Sequence, residues 1–369
     1  MDKKLLYAVI ILLAIGIAVL ASVSAVFSQE NAGSPAYYLF HQLIYGIGIG
    51  AVLGFIVFRM KIGFFKKHAL KIVLFAFGLM ILVFLPFIGV QSGGASRWIN
   101  IFGHATFQPS ELLKLSFIIY ISAWLVNASK KNKLFKKTKL KKVFGRVSEI
   151  IPFLLVLTAI AVLLILQSDL STLILIISVA ILLYFAASTP LWHTATIILL
   201  FSGLAFITIK LAPYRMKRVL VFLNPDMDPM GIGYQIKQIL IAIGSGGIVG
   251  LGAGMSSQKF GFIPQTMADS IFAIFAEEFG FIGSFILVVL FLYVTWRGFR
   301  IAKQAKDKFS QLLALGISSW ICIQAFINIA AMLRIIPLTG IPLPFISYGG
   351  SHIIMELIGV GLLLNISKK

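Results

Sequence analysis

The sequence predicts an all-α integral membrane protein with ten transmembrane helices and a long loop between the seventh and the eighth. Three observations carry this. Hydrophobic residues make up 59% of the 369 residues and charged residues only 12%, against about 25% charged in soluble domains. The apolar residues fall in runs long enough to cross a bilayer core, which takes about 20 helical residues. The Lys and Arg residues collect between those runs, mostly on one side of the predicted membrane.

The first run, 5–27, lacks a small-residue cleavage site and is too long for a signal-peptide core, so it reads as a retained helix. Runs 37–58, 70–91 and 109–127 follow, then 149–166 and 170–187 across the tight turn QSDLST, then 191–211. The next segment, 212–267, has over 50 residues, and loops beyond about 15 are usually functional or disordered. Its GYQIKQILIAIG stretch (233–244) has the spacing of a short amphipathic helix, so the segment is expected to fold onto the outer membrane surface. Runs 268–294, 309–333 and 351–366 complete the ten. No soluble domain is present: residues 1–369 read as one polytopic membrane domain, with 212–267 as its large extracytoplasmic loop.

The formal net charge is +20, and its placement decides what it means. With the N-terminus inside, the inner segments hold 23 of the 32 Lys and Arg and the outer loops seven. That bias is the positive-inside rule, and it puts both termini in the cytoplasm. The run KKNKLFKKTKLKK at 130–142 reads as a loop resting on anionic lipid, and no nucleic-acid partner is expected. Cys322 reads as a small core residue. The five histidines share no metal-ligand spacing, so no metal site is predicted. The glycines of 244–254 do not match a dinucleotide fingerprint and read as a flexible or tightly turned segment. The elaborate outer segments 91–108, 212–267 and 334–350 face plain basic inner loops, which puts the chemistry on the outer face.

Charges inside apolar runs need a reason, because a carboxylate carried to the bilayer centre costs roughly 2.5–3.5 kcal/mol on insertion scales. Asp269 sits at the mouth of the eighth helix, where it serves either as a cap favoured by the helix macrodipole or as a catalytic base. Arg215, Arg218, Lys237 and Lys259 lie on the same predicted face and suit a phosphorylated substrate. Glu111 and Lys114 are three apart on one helix and can pair. They form either a neutralised structural pair or a pair whose lysine also turns toward an anionic group such as a pyrophosphate. Asp169, in QSDLST, suits an N-cap, with a direct role as the alternative. Glu277, Glu278 and Glu356 read as groups paired inside the bundle.

Four motif stretches fall in order along the chain. They are ASRWINIFG…FQPSELLKL (95–115), QSDLST (167–172), the 214–283 stretch with NPDMDP, GYQ, AIGSGG, QKFGFIP, Asp269 and the EE pair, and Q…N…P.TGIPLPFISYGGS (324–351). Together they closely resemble the SEDS family (shape, elongation, division and sporulation), and the GYQ and SQKFGF motifs look more like the FtsW division branch than the RodA elongation branch. The resemblance covers nearly the whole chain. It implies a peptidoglycan glycosyltransferase of the bacterial cytoplasmic membrane. Such an enzyme polymerises lipid II, an undecaprenyl-pyrophosphate-linked substrate, on the outer leaflet at the division septum. A class B penicillin-binding transpeptidase and other divisome membrane proteins are its implied partners. By motif position the family's essential aspartate falls on Asp269, its polar pair on Glu111 and Lys114, and its RW arginine on Arg97. The chain departs from the family's P-E-x-H-T-D pattern, with Gln265, Met267 and Ala268 in place of Glu, His and Thr, and His352 replaces the second Ser after GGS.

The chemistry asks for a base at the acceptor hydroxyl, worth typically 10²–10⁴-fold, and for cations that counter the leaving pyrophosphate. Asp269 is assigned the first role. Lys114, Arg97 and one or more of Arg215, Arg218 and Lys259 take the second, with Glu111 and Asp169 in support. No cofactor is required; a divalent cation could share the charge work, though no carboxylate cluster demands one. Two other readings compete. A flippase for lipid-linked precursors suits a helical bundle with buried charges, although no inverted repeat of broken helices is evident. A non-catalytic divisome scaffold would leave Asp269 replaceable.

Overall fold

A computed structural model describes residues 1–92, 95–101, 105–134, 139–187, 189, 191–264 and 266–368. Gln265 and residues 135–138 of the basic run lie outside these. The helices in chain order are α1 (Lys3–Ala32), α2 (Tyr37–His41), a π-helical turn (Gln42–Gly48) leading into α3 (Ile49–Arg59), and α4 (Ile62–Leu82). They continue with α5 (Pro109–Leu134), α6 (Lys139–Leu166), α7 (Leu170–Ala186) and α8 (Leu191–Leu211). The 212–267 segment holds α9 (Pro213–Leu223) and α10 (Ile232–Ser245). The chain ends with α11 (Ile271–Gln304), α12 (Lys308–Met332) and α13 (Gly350–Ile366).

The helical membrane architecture read from composition is what the chain adopts. Among the described residues, six helical stretches are long and apolar enough to cross a membrane: Lys3–Ala25, Tyr37–Arg59, Pro109–Ala128, Leu191–Leu211, Ile271–Gln304 and Lys308–Met332. Three more apolar helices are shorter, Ile150–Leu166, Leu170–Ala186 and Gly350–Ile366. The run expected at 70–91 behaves differently. Its helix, α4, begins earlier, carries Lys66, Lys67, His68 and Lys71 in its first half, and ends at Leu82. Pro86 follows, and proline cannot continue a helix.

That early stop leads to one departure from an all-helical chain. The segment expected as a loop at 91–108 contains a small antiparallel sheet, ordered β1 (Gly89–Ser92), β2 (Ala95–Ile101) and β3 (Ala105–Phe107). Ile99 pairs with Gly89 on one side and with Phe107 on the other. The two-residue alternation in ASRWINI suits a strand with unlike faces, a signal easily lost between two long apolar runs.

The chain forms two compact units. The first holds Met1–Ile56, Ile207–Arg297 and Ile321–Leu364, and the second Val57–Phe206, Gly298–Trp320 and Asn365–Lys369. In the second, α5 packs against α4, α6 and α7. Leu113, Phe117, Ile118 and Ile121 of α5 are all buried, as are its Glu111 and Lys114, so this part of α5 runs through the interior of the unit. In the first, α3 and α13 cross at Gly54 and Gly361, where a Cβ on Gly361 would lie 2.3 Å from the Gly54 carbonyl oxygen. Small residues at such a crossing let two backbones touch, the usual packing device where lipid supplies no hydrophobic drive.

The first unit also contains a broken helix. At Gly280 the α11 backbone turns to φ 64°, ψ −163°, a conformation that favours glycine. The break frees backbone groups that a bilayer cannot solvate, and residues 247–252 satisfy them. Leu251 and Gly252 donate their N–H groups to the Glu277 and Glu278 carbonyls, both at 3.0 Å. Phe281 and Ile282 donate to the Gly247 and Ile248 carbonyls at 2.9 and 3.0 Å. The glycine-rich stretch is therefore tightly turned and laced to a helix, not a free loop.

Candidate active site around Asp269

Asp269 lies in the turn just before α11. Ala273 donates its N–H to the Ser270 carbonyl at 3.0 Å, so the helical bonding begins one residue after Asp269. The residue is 7% exposed, and among the described residues its Oδ1 has no hydrogen-bond partner. Burial pushes the carboxyl up to about 6; the N–H groups of Asp269 and Ser270 and the Arg218 guanidinium pull the other way without cancelling it.

Two elements, α12 and the 334–350 segment, lie against this turn. Asn328 of α12 donates both protons of Nδ2, one to the Asp269 carbonyl and one to the Ile341 carbonyl, each at 2.8 Å. Tyr348 donates its N–H to the Met267 carbonyl at 2.8 Å. Gly340, at φ 70°, lies close enough that a Cβ there would sit 3.6 Å from Asp269 Oδ2. The 334–350 segment thus folds against the carboxylate. That segment is anchored in turn: Phe345 donates its N–H to Glu356 at 2.8 Å, and Gln42 clamps the Ser347 carbonyl and the Gly349 N–H at 3.2 and 3.0 Å. Gln42 opens the π-helical turn, a local irregularity common at functional sites.

The basic residues of the first unit have separate attachments. Arg218 reaches the Leu338 carbonyl at 3.4 Å and is the one whose charge acts on Asp269. Arg215 is expected from the sequence near phosphate, yet it bonds the Tyr214 hydroxyl at 2.8 Å and the Thr208 carbonyl at 3.2 Å. Lys259 sits 3.8 Å from Glu278 and bonds Ser22 and the Gly254 carbonyl at 3.0 and 2.6 Å. Glu277 accepts from the Ser256 hydroxyl and from the Ser257 N–H and hydroxyl at 3.3 and 3.2 Å. Its partners are loop serines, where pairing within the bundle is the sequence expectation, because the helix break brings the 250–258 turns alongside.

In the second unit, Lys114 lies 2.8 Å from Glu111 with both side chains buried, and its ammonium sits 5.4 Å from the Trp320 ring centroid. Asp169 is the N-cap of α7, accepting from the Thr172 N–H at 3.1 Å and its hydroxyl at 2.8 Å. Arg97 donates to the Gln167 carbonyl at 3.0 Å and to the Ser168 carbonyl, tying β2 to the α6–α7 turn. Within each unit the predicted residues form separate local clusters, and among the described basic residues of the first unit Arg218 is the one that bears on Asp269. Among the described residues no three His, Cys, Asp or Glu side chains converge as metal ligands. Asn328 and Gln42 were not assigned from the sequence; a polar amide in an apolar run was the available signal for each.

The family profile described as cell cycle protein, covering FtsW, RodA and SpoVE, matches residues 3–369. Stage V sporulation protein E of Bacillus subtilis is 35% identical over 368 residues, covering 100% of this chain and 97% of the relative. A probable peptidoglycan glycosyltransferase FtsW of Geobacter metallireducens is 36% identical, covering 100% and 95%. Among solved structures, a chain from a peptidoglycan synthase complex, described for its coordination of polymerization and crosslinking, matches at TM-score 0.76 and 24% identity, covering 99% of this chain and 97% of that one. The rod shape determining protein RodA of Thermus thermophilus matches at TM-score 0.69 and 22% identity, covering 99% and 96%. These two likenesses establish a shared fold.

Proposed function

Since this chain belongs to the FtsW, RodA and SpoVE family of cell cycle proteins, we propose that it is a peptidoglycan glycosyltransferase that builds glycan strands from lipid II with Asp269 as its base. The observation that carries the site assignment is the state of that carboxylate: buried, held by its neighbours through backbone atoms, and left with an oxygen that none of the described residues bonds. A structural carboxylate at that depth would normally be bonded. With its affinity for protons raised toward about 6, it is ionised at neutral pH and still basic enough to accept a proton.

The reaction is a single displacement. The acceptor hydroxyl gives its proton to Asp269, its oxygen attacks the anomeric carbon of the pyrophosphate-linked donor, and the bond to the leaving lipid pyrophosphate breaks with inversion. Arg218, half-free at the rim of the Asp269 turn, is the cation proposed to meet the phosphate charge in the first unit. Arg215, Lys259, Lys114 and Arg97 serve that purpose only by exchanging the protein partners they hold here, and as they stand they are ties within the fold.

The proposed topology has ten crossings, both termini in the cytoplasm of a bacterial cell and 212–267 outside, on the charge bias alone. It places Asp269 at the outer leaflet, where a lipid-tailed substrate arrives laterally. A class B transpeptidase is the proposed partner and the division septum the proposed location. The test is incubation of the purified chain with lipid II, with and without such a transpeptidase, followed by gel separation of glycan strands. A ladder of polymer is expected. Lipid II moved across vesicles with no polymer under either condition would return the flippase reading.

A further inference from the structure

Asp269 Oδ1 is not the only orphaned acceptor beside this turn. Asn328 of α12 is 1% exposed, and among the described residues its Oδ1 also has no hydrogen-bond partner. The orientation of this amide is settled by its surroundings: the nitrogen faces two carbonyls, those of Asp269 and Ile341, each at 2.8 Å. A flipped amide would set three oxygens against one another, so the bare atom is the oxygen. Two buried acceptors on different elements are therefore linked through a single hydrogen bond, from Asn328 of α12 to the Asp269 backbone. Most buried polar atoms in native folds find a hydrogen-bond partner, so two unmet acceptors linked to each other call for a reason.

We infer that Asn328 is a substrate-binding residue, and that its carboxamide oxygen and the Asp269 carboxylate together receive two neighbouring donors of the acceptor sugar. The attacking hydroxyl goes to Asp269 and the hydroxyl on the adjacent ring carbon goes to Asn328. A vicinal diol suits this arrangement because it offers two O–H donors at fixed, short separation, and because its second hydroxyl can orient the ring for the first to attack. Asn328 thereby has two tasks. Its nitrogen holds the backbone that carries Asp269, and its oxygen reads the substrate. The inference deepens the glycosyltransferase reading and rests on it.

The experiment is a cycle between protein and substrate. Polymerisation by the wild type and by Asn328→Leu is measured with the native lipid-linked acceptor and with an analogue lacking the hydroxyl next to the attacking one. Because each enzyme is compared with itself across the two acceptors, partial misfolding of the variant cancels from the ratio. Asn328→Ser provides the same ratio in a smaller side chain if the leucine variant does not fold. The wild type is expected to prefer the native acceptor by about tenfold or more, the scale of one buried polar group left unpaired. The leucine variant should prefer it by no more than about twofold. Equal ratios in the two proteins overturn the inference and leave Asn328 as an anchor of the turn whose oxygen meets water. A wild type that makes no polymer from the native substrate fails the glycosyltransferase reading itself, a separate result.

Discussion

Asp269 and Glu277 stand eight residues apart in the same unit, both buried at 7% and 1% exposure, and they have opposite surroundings. Glu277 lies where α11 breaks, and its oxygens accept from two serine hydroxyls and a backbone N–H. Asp269 lies where α11 begins, held by its main chain, with a side-chain oxygen that none of the described residues meets. Burial alone does not separate a structural carboxylate from a working one. The difference lies in which atoms the neighbours hold: around Glu277 they hold the carboxylate, around Asp269 they hold the backbone and leave the carboxylate available.

Asp269→Asn is the hardest test of that contrast. It keeps the shape and the backbone contacts while removing the proton acceptor, so polymerisation should fall by about 10²-fold or more with the fold intact. Asn is as good a cap as Asp, so a capping role predicts nearly unchanged activity. Glycan length on a gel, with thermal unfolding in the same detergent, reads both quantities. An active, stable Asn variant would falsify the assignment.

Glu277→Ala should show the converse. Three donors lose their acceptor at a buried site, so unfolding should become easier by on the order of 3 kcal/mol, while the rate per folded molecule changes little. If instead activity vanished at undiminished stability, Glu277 would belong with Asp269 and the comparison would collapse.

The smallest expected effect is in pH. Activity should rise as Asp269 ionises, with a midpoint near 6, and fall about tenfold per unit below it. Stability runs the other way. The folded-state affinity for the proton exceeds that of an ordinary carboxylate, so this group's contribution is fully present below about pH 4 and lost as pH rises through about 6. Asp269→Asn, which cannot ionise, should therefore unfold less readily than the wild type at pH 7 and lose that advantage at pH 4. Melting curves at the two pH values check the sign; a variant advantage that grew on acidification would contradict it.

Much of this was legible in the chain. Long apolar runs dictate helices in lipid, because no other unpaired backbone is tolerated there, and the positions of the α1, α5, α8, α11 and α12 helices follow from them. The motif order identifies the family and brings Asp269 forward, since a carboxylate beside an apolar helix is costly unless it has work to do. The sheet at 89–107 and the break at Gly280 were not legible, because both depend on partners distant in sequence. A strand needs its neighbour to be a strand, and a glycine inside a helix reads as ordinary until another segment comes to bond the freed carbonyls.

The roles of the basic residues show the same division. Sequence places Arg97, Lys114, Arg215, Arg218 and Lys259 in a family pattern and supplies their charge, but charge has no direction until the chain is folded. Tertiary structure spends Arg97 on a turn, Arg215 on a carbonyl and a phenol, Lys259 on Glu278 and Lys114 on Glu111. It also makes Asn328 matter, by bonding its nitrogen to the Asp269 and Ile341 carbonyls and leaving its oxygen unmet among the described residues. What the sequence determined by itself is which groups are too expensive to bury without a purpose. Which of them found partners among the described residues, and which did not, was decided by packing, since hydrogen bonds are satisfied by proximity in space and not along the chain.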